Sequence, residues 1–138
     1  MKHIFVDTGY WIALIHPDDD LHEQALRVTE QVLPAELVTT ELVLNELLNA
    51  FSKRGVRFRQ AAVGLIDSLI EDDTVEVVPQ STQLFNAALE LYRQRPDQAW
   101  SHTDCVSFHL MQERKILEAL AYDRHFEQAG FVALLRDQ

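Results

Sequence analysis

Four carboxylates at separate places in the chain have settings that could do chemistry. Asp7 closes an apolar run that predicts a first strand, and Asp123 closes a similar run late in the chain. Glu46 lies among the apolar positions of a predicted helix, and Asp104 lies in the first turn of another. Each carboxylate also has a structural interpretation that must be weighed against a joint role.

Helix capping accounts for three of the four acids taken singly. Asp7 and Asp123 each precede a helical segment and could be N-caps, and Asp104 follows Ser101 by three residues, as in a capping box. Glu46 is in mid-helix, so capping cannot explain it. We expect its side chain to be buried, either paired with an Arg or Lys or held in a cluster, because burying an unpaired carboxylate is costly.

A joint role for the four acids predicts a divalent metal site. Clustered carboxylates repel one another unless a counter-charge is present. Ligation by oxygen alone suits Mg²⁺ or Mn²⁺, which keep several waters and are often shared with substrate phosphates. The chemistry that follows is metal-assisted hydrolysis of a phosphodiester bond.

The elements that position these residues alternate between strand and helix. Strands are predicted over 3–7, 36–39, 74–78, 117–121 and 131–135. Helices are predicted over 21–33, with Asp20 as its cap, and over 41–54, with Gly55 as its end; the others are predicted over 8–15, 57–71, 81–94 and 102–114, with a helical turn over 126–129. This alternation predicts one α/β domain over 1–138, with parallel strands and helices on both faces. Sites in such sheets lie beyond the carboxyl ends of strands, where Asp7 and Asp123 fall.

Composition limits the setting and the partners. The 138 residues include 22 acidic and 12 basic side chains, a formal net charge of −10, so binding a nucleic acid would need a local basic patch. Candidates are Arg54 and Arg57, in the basic segment 53–59, and Arg124; a solvated helix end is an equal alternative for the first two. The single cysteine excludes a disulfide framework and, with no signal peptide, favours the cytoplasm. No apolar stretch is long enough to span a membrane.

Several motifs together are typical of one family. They are Val6-Asp7-Thr8 with Trp11, Glu46 at the end of the segment 40–46, the segment 103–108, and the segment 123–126 followed by Gly130-Phe131. In their order and spacing the chain resembles the PIN-domain family, and within it the VapC-like toxin ribonucleases of bacterial toxin–antitoxin pairs.

The resemblance implies a three-layer α/β/α sandwich with a central, mostly parallel sheet and a ribonuclease site dependent on Mg²⁺ or Mn²⁺. Asp7, Glu46, Asp104 and Asp123 take the family's four acidic places. The resemblance implies that Asp7 and Asp104 are direct metal ligands, that Glu46 is a ligand or positions water, that Asp123 acts directly or through water, and that Thr8 orients the site. It also implies an RNA substrate, a small antitoxin that covers the acidic groove, and a homodimer built from the early helices.

One position departs from the family's pattern and keeps alternatives open. Similar members carry Thr or Ser where this chain has Ala121, so a hydroxyl that could hold metal-bound water is missing. A non-catalytic PIN-like domain that binds RNA or a partner is therefore one alternative. A phosphoacceptor domain of the receiver type is another, although Asp7 has no adjacent acid. The histidines, His125 among them, lack the spacing of a zinc site and are expected at the surface or at helix ends.

Overall fold

The computed structural model describes residues 1–136 of the chain. Its strands are β1 (His3–Val6), β2 (Glu36–Thr40), β3 (Val75–Val78), β4 (Glu118–Leu120) and β5 (Val132–Ala133). Its helices are α1 (Thr8–Ile15), α2 (His22–Val32), α3 (Glu41–Phe51), α4 (Val56–Glu71), α5 (Thr82–Gln94), α6 (His102–Arg114) and α7 (Arg124–Gln128). The predicted single domain extends two residues beyond this range, and its extent stays a prediction.

The strands form one sheet in the order β3-β2-β1-β4-β5, and every neighbouring pair is parallel. β1 lies in the middle, and its residues Ile4, Phe5 and Val6 are completely buried, as expected for a strand covered on both faces. With the right-handed crossovers that are the rule for parallel strands, this strand order puts α1–α4 on one face and α5–α7 on the other. The predicted α/β sandwich with a parallel sheet is therefore confirmed.

An aromatic cluster fixes the elements next to the end of β1. The Phe108 ring of α6 packs edge-on against Phe126 of α7, with centroids 5.0 Å apart, and against Trp100, 5.1 Å away. Phe126 also lies 6.4 Å from Phe5 of β1. These contacts hold the first turns of α6 and α7 beside the central strand, where two of the predicted acids are located.

Two predicted helix boundaries were wrong. Asp20 does not cap α2; Leu21 occupies the N-cap position, and its N–H donates instead to Oδ1 of Asp19 at 2.9 Å. Gly55 does not end α3, which stops at Phe51. With φ of +96°, it occupies the N-cap position of α4, in a conformation that only glycine adopts easily. Glycine therefore stands at the start of a helix here, because the backbone has a positive φ at this N-cap position.

Candidate active site

The carboxyl ends of β1 and β4 define the natural ligand site of this sheet. From β1 the chain adds β2 and β3 on one side and β4 and β5 on the other, so the strand order reverses between β1 and β4. Ligands in open α/β sheets bind in the crevice at such a reversal. Asp7 follows β1 directly, and its N–H donates to the carbonyl of Leu120 at the end of β4, at 3.1 Å. Asp123 comes three residues after that strand.

A cleft of about 590 Å³ opens at this point. It is lined by Asp7, Thr8, Gly9, Ile12, Leu21, Glu46, Tyr122, Asp123, Arg124 and Arg136. Three of the four predicted acids are in this lining, together with Thr8 and Arg124. The fourth, Asp104, is not part of the lining and is linked to Asp123 through a shared neighbour, His125.

Asp7 is the electrostatic centre of the site. It has the position and backbone conformation of an N-cap, but its side chain makes no capping hydrogen bond to α1. Burial raises its pKa to about 7 from the ordinary 3.8; the Thr8 N–H opposes this rise, and the charges of Asp104, Glu46 and Asp123 add to it. The fold therefore brings the four predicted acids within electrostatic reach of one another, and capping alone does not explain Asp7.

Glu46 is placed differently from the prediction. Its side chain is exposed, because α3 packs inward through Val43, Leu44, Leu47 and Phe51. Glu46 lies at the border of that apolar face, so no buried ion pair with Arg or Lys is required. Its carboxylate is fixed by Thr8, whose hydroxyl donates to Oε1 at 2.7 Å. The prediction of a buried glutamate was therefore wrong. Glu46 lies near Asp7 because α1 packs against α3.

Asp104 combines a capping contact with a place beside the cleft. The Asp104 N–H donates to the Ser101 hydroxyl, and the Ser101 N–H donates to Oδ2 of Asp104, both at 3.0 Å, which completes the capping box. The structural interpretation is therefore realised. The same Oδ2 also lies 3.2 Å from Nδ1 of His125, which links the first turn of α6 to α7.

Asp123 caps α7, accepting a hydrogen bond from the His125 N–H at 2.9 Å through Oδ1. Nδ1 of His125 lies 3.3 Å from that oxygen, so one imidazole contacts both Asp104 and Asp123. The sequence suggested no such role for His125. Its place two residues after Asp123 was visible, but its contact with Asp104 depends on how α6 and α7 pack.

The donor set fits a hydrated magnesium or manganese ion better than a fully protein-ligated one. Within residues 1–136, no three His, Cys, Asp or Glu side chains are grouped closely enough to hold a metal by themselves. Mg²⁺ is usually bound by one or two carboxylates and keeps several waters, so it does not need such a group. Burial first, and the neighbouring carboxylates after it, raise the pKa of Asp7 and disfavour its charged form; a bound divalent cation would favour that form.

The predicted basic residues are divided between two places. Arg124 is exposed and lines the cleft. Arg54 and Arg57 are exposed where α3 connects to α4 and do not line the cleft; the Arg54 guanidinium lies 3.4 Å from the ring of His16. Arg136, which the sequence did not single out, does line it.

Comparison with known proteins identifies the class. The family model of the PIN domain matches residues 4–132, and the chain belongs to the PIN-domain family. It is 32% identical over 130 residues to the 23S rRNA-specific endonuclease VapC20 of Mycobacterium tuberculosis, in strains CDC 1551 and H37Rv, covering 94% of this chain and 95% of the relative. The predicted resemblance is thus confirmed, and the receiver-type alternative is set aside.

The fold is also similar to that of a solved structure. The crystal structure of Mycobacterium tuberculosis VapC20, described as a sarcin–ricin loop cleaving toxin, superimposes with a TM-score of 0.83 at 30% sequence identity. The match covers 94% of this chain and 97% of that one. Because the match extends over nearly the full length of both chains, the two proteins share the architecture in which the cleft lies.

Proposed function

We propose that this protein is an endoribonuclease of the VapC toxin type, dependent on Mg²⁺ or Mn²⁺, with a structured ribosomal RNA as its substrate. The observation that carries the proposal is Asp7: a carboxyl at the reversal point of the sheet, uncapped, with its pKa raised to about 7 by burial and by three nearby acids. The VapC20 relative supports the RNA substrate. A cytoplasmic location is part of the same proposal.

In this mechanism Asp7 and Asp104 would hold the metal, and Asp123 would help to hold it directly or through water. The bound ion would polarise the scissile phosphate, lower the pKa of the attacking water and stabilise the leaving oxygen. Glu46 has one oxygen occupied by the Thr8 hydroxyl, and its other oxygen is available to accept a hydrogen bond from the attacking water. Because the Thr8 hydroxyl holds the Glu46 carboxylate in place, Glu46 would orient that water without changing its own side-chain rotamer.

The phosphates of the RNA need cations at the edge of an acidic cleft. Arg124 is placed for this because it lines the cleft directly after Asp123. Arg54 and Arg57 would contact the RNA farther from the scissile bond. The position of Arg54 beside His16, the residue that follows α1, supports this outer role.

The test is cleavage of a stem-loop RNA carrying the sarcin–ricin sequence, with Mn²⁺ present. Asp7→Asn should reduce the rate to less than about one-hundredth of wild type, because it removes a charged ligand while keeping the shape. Asp73→Asn is the matched control, since Asp73 is exposed outside the cleft. Undiminished cleavage by purified Asp7→Asn would contradict the site, and no cleavage by wild type would contradict the activity on this RNA.

One observation favours the second candidate, a non-catalytic RNA-binding domain. Ala121 is completely buried at the end of β4, where similar members carry a hydroxyl. Ala121→Ser would supply that hydroxyl with little change in volume. If wild type binds the stem-loop RNA but cleaves it only after this substitution, the non-catalytic alternative is correct. Cleavage by wild type at a rate close to that of the variant would exclude it.

The proposal includes two protein partners. An antitoxin would cover the acidic cleft. A second copy of this chain would pack on the early helices, where Val56, Val63 and Ile70 form an exposed apolar stripe, 68%, 50% and 66% exposed, along one face of α4. Light scattering after gel filtration should give a dimer mass for wild type and a monomer mass for Val63→Glu. A monomeric wild type would contradict the homodimer.

A further inference from the structure

Tyr122 and Arg136 form a pair at the cleft that the acid-based chemistry does not use. Tyr122 directly precedes Asp123, and Arg136 comes 14 residues later, after β5. The Arg136 guanidinium lies over the Tyr122 ring, 4.7 Å from its centroid, and Nη1 donates to the Tyr122 carbonyl at 2.9 Å. Both residues line the cleft together with Asp7 and Asp123.

The guanidinium is held in one orientation. In addition to its contacts with Tyr122, Nε of Arg136 lies 3.2 Å from a carboxylate oxygen of Glu127 on α7, and its side chain is 23% exposed. The ring is different, because Tyr122 stays 45% exposed although Arg136 covers one of its faces. A solvent-facing aromatic ring backed by a fixed cation therefore lies next to the proposed metal ligands.

This combination suits one ligand chemistry. Unpaired bases of RNA loops stack on aromatic rings and on guanidinium planes, and arginine at the same place attracts the phosphate. The cleft needs such cations, since Asp7, Glu46 and Asp123 line it and the chain carries a net charge of −10. A structural role alone, tying the chain after β5 to the loop after β4, requires the guanidinium but not an exposed ring.

We propose that Tyr122 and Arg136 form a nucleotide subsite that stacks an unpaired base next to the scissile phosphate and contacts the adjoining phosphate. The inference rests on the proposed ribonuclease function. Tyr122 provides the stacking surface, and Arg136 positions that ring from behind while adding positive charge. The subsite selects for looped RNA over duplex RNA, because a paired base cannot leave its stack without an energetic cost.

The experiment measures binding separately from cleavage. Dissociation constants are determined for the sarcin–ricin stem-loop RNA without divalent metal, so that no cleavage occurs. Tyr122→Leu should weaken binding about tenfold, and Tyr122→Phe should bind like wild type, because stacking needs the ring and not the hydroxyl. Tyr92→Leu is the matched control, because Tyr92 is an exposed tyrosine on α5 outside the cleft.

Arg136→Gln should weaken binding and make the dependence of log K on log salt shallower by about one. Arg27→Gln should have a smaller effect, because Arg27 is exposed and lies outside the cleft.

A photochemical readout separates contact from indirect effects. With 4-thiouridine placed beside the expected cleavage position, irradiation should cross-link the RNA to the peptide containing Tyr122. Equal affinity of Tyr122→Leu and wild type, or a cross-link that maps elsewhere, would overturn the subsite even if the RNA is cleaved. If wild type binds the RNA without cleaving it, weaker binding by Tyr122→Leu with the Tyr122 cross-link still supports the subsite. If wild type does not bind this RNA, the subsite as proposed is overturned together with the substrate.

Discussion

The Thr8 hydroxyl donates a 2.7 Å hydrogen bond to Oε1 of Glu46 and so joins the first turn of α1 to the second turn of α3. The hydroxyl also lies 3.4 Å from the Val43 carbonyl. Since the four acids come from four separate parts of the chain, contacts of this kind between elements keep the site in one geometry.

Thr8→Val should therefore slow cleavage about tenfold with little change in RNA affinity, because Glu46 loses its fixed orientation but keeps its charge. Thr8→Ser, which keeps the hydroxyl, should behave like wild type. The loss of one exposed hydrogen bond should lower the free energy of unfolding by only about 1 kcal/mol. Cleavage kinetics and urea unfolding of the three proteins check this, and equal kcat values would contradict a positioning role for Thr8.

The raised pKa of Asp7 predicts how the stability of the metal-free protein depends on pH. Folding raises this pKa from 3.8 to about 7, so between these values the folded state binds more protons than the unfolded state. Stability should therefore fall as pH rises from about 4 to about 7 and remain low above that. The contribution is at most on the order of 4 kcal/mol, since one pKa unit corresponds to about 1.4 kcal/mol.

Asp7→Asn should remove that pH dependence and melt at a higher temperature than wild type at pH 8 in metal-free buffer. Asp73→Asn should follow the wild-type curve. Melting curves between pH 4 and pH 8 provide the measurement. A lower melting temperature for Asp7→Asn at pH 8 would instead favour a capping role for this residue.

Asp104 carries a different expectation, because its carboxylate is part of a capping box. Ser101→Ala should lower the free energy of unfolding by about 1 kcal/mol, since it removes the acceptor for the Asp104 N–H. Cleavage should also slow, because the first turn of α6, which positions the Asp104 carboxylate, loses a cap, although the Ser101 N–H can still donate to that carboxylate. Ser81→Ala is the control: Ser81 caps α5 in the same way, accepting from the Leu84 N–H, but lies outside the cleft. Equal activity of the two variants would show that capping and catalysis are independent at Asp104.

Metal binding should stabilise the folded protein. Adding Mn²⁺ at about 100 times its dissociation constant should raise the free energy of unfolding by about 2.7 kcal/mol. The gain should be smaller at pH 5 than at pH 8, because protons compete for the carboxylates. Asp7→Asn should lose most of it and Asp73→Asn should retain it. Differential scanning calorimetry with and without Mn²⁺ makes the comparison, and the absence of any shift in wild type would argue against a metal site.

The sequence predicted much of the fold because its apolar runs are short and well separated. Within residues 1–136, the five strands and seven helices fell close to their predicted positions, and α6 matched its predicted range of 102–114. The Ser101–Asp104 capping box was also visible, since it depends only on a spacing of three.

Features that depend on tertiary contacts were not predictable in this way. The apolar residues of α3 cover a wide part of the helix surface, so the sequence predicted Glu46 within the apolar face. In the structure Glu46 lies at the border of that face. The link from His125 to Asp104 and the stacking of Arg136 on Tyr122 join residues 21 and 14 positions apart. No periodicity joins such pairs, so only the packing of α7 and β5 against β4 and α6 brings them together.

The middle position of β1 in the sheet has a consequence for the biosynthesis of this protein. During synthesis Asp7 precedes Asp104 and Asp123, and β4, the strand that pairs with β1, lies between those two acids in the chain. A nascent chain that has folded only its first half would hold β1, β2 and β3 without the other side of the cleft. The four acids of the site therefore come together only after β4 and α7 have been synthesised, so a partly synthesised chain lacks the complete site.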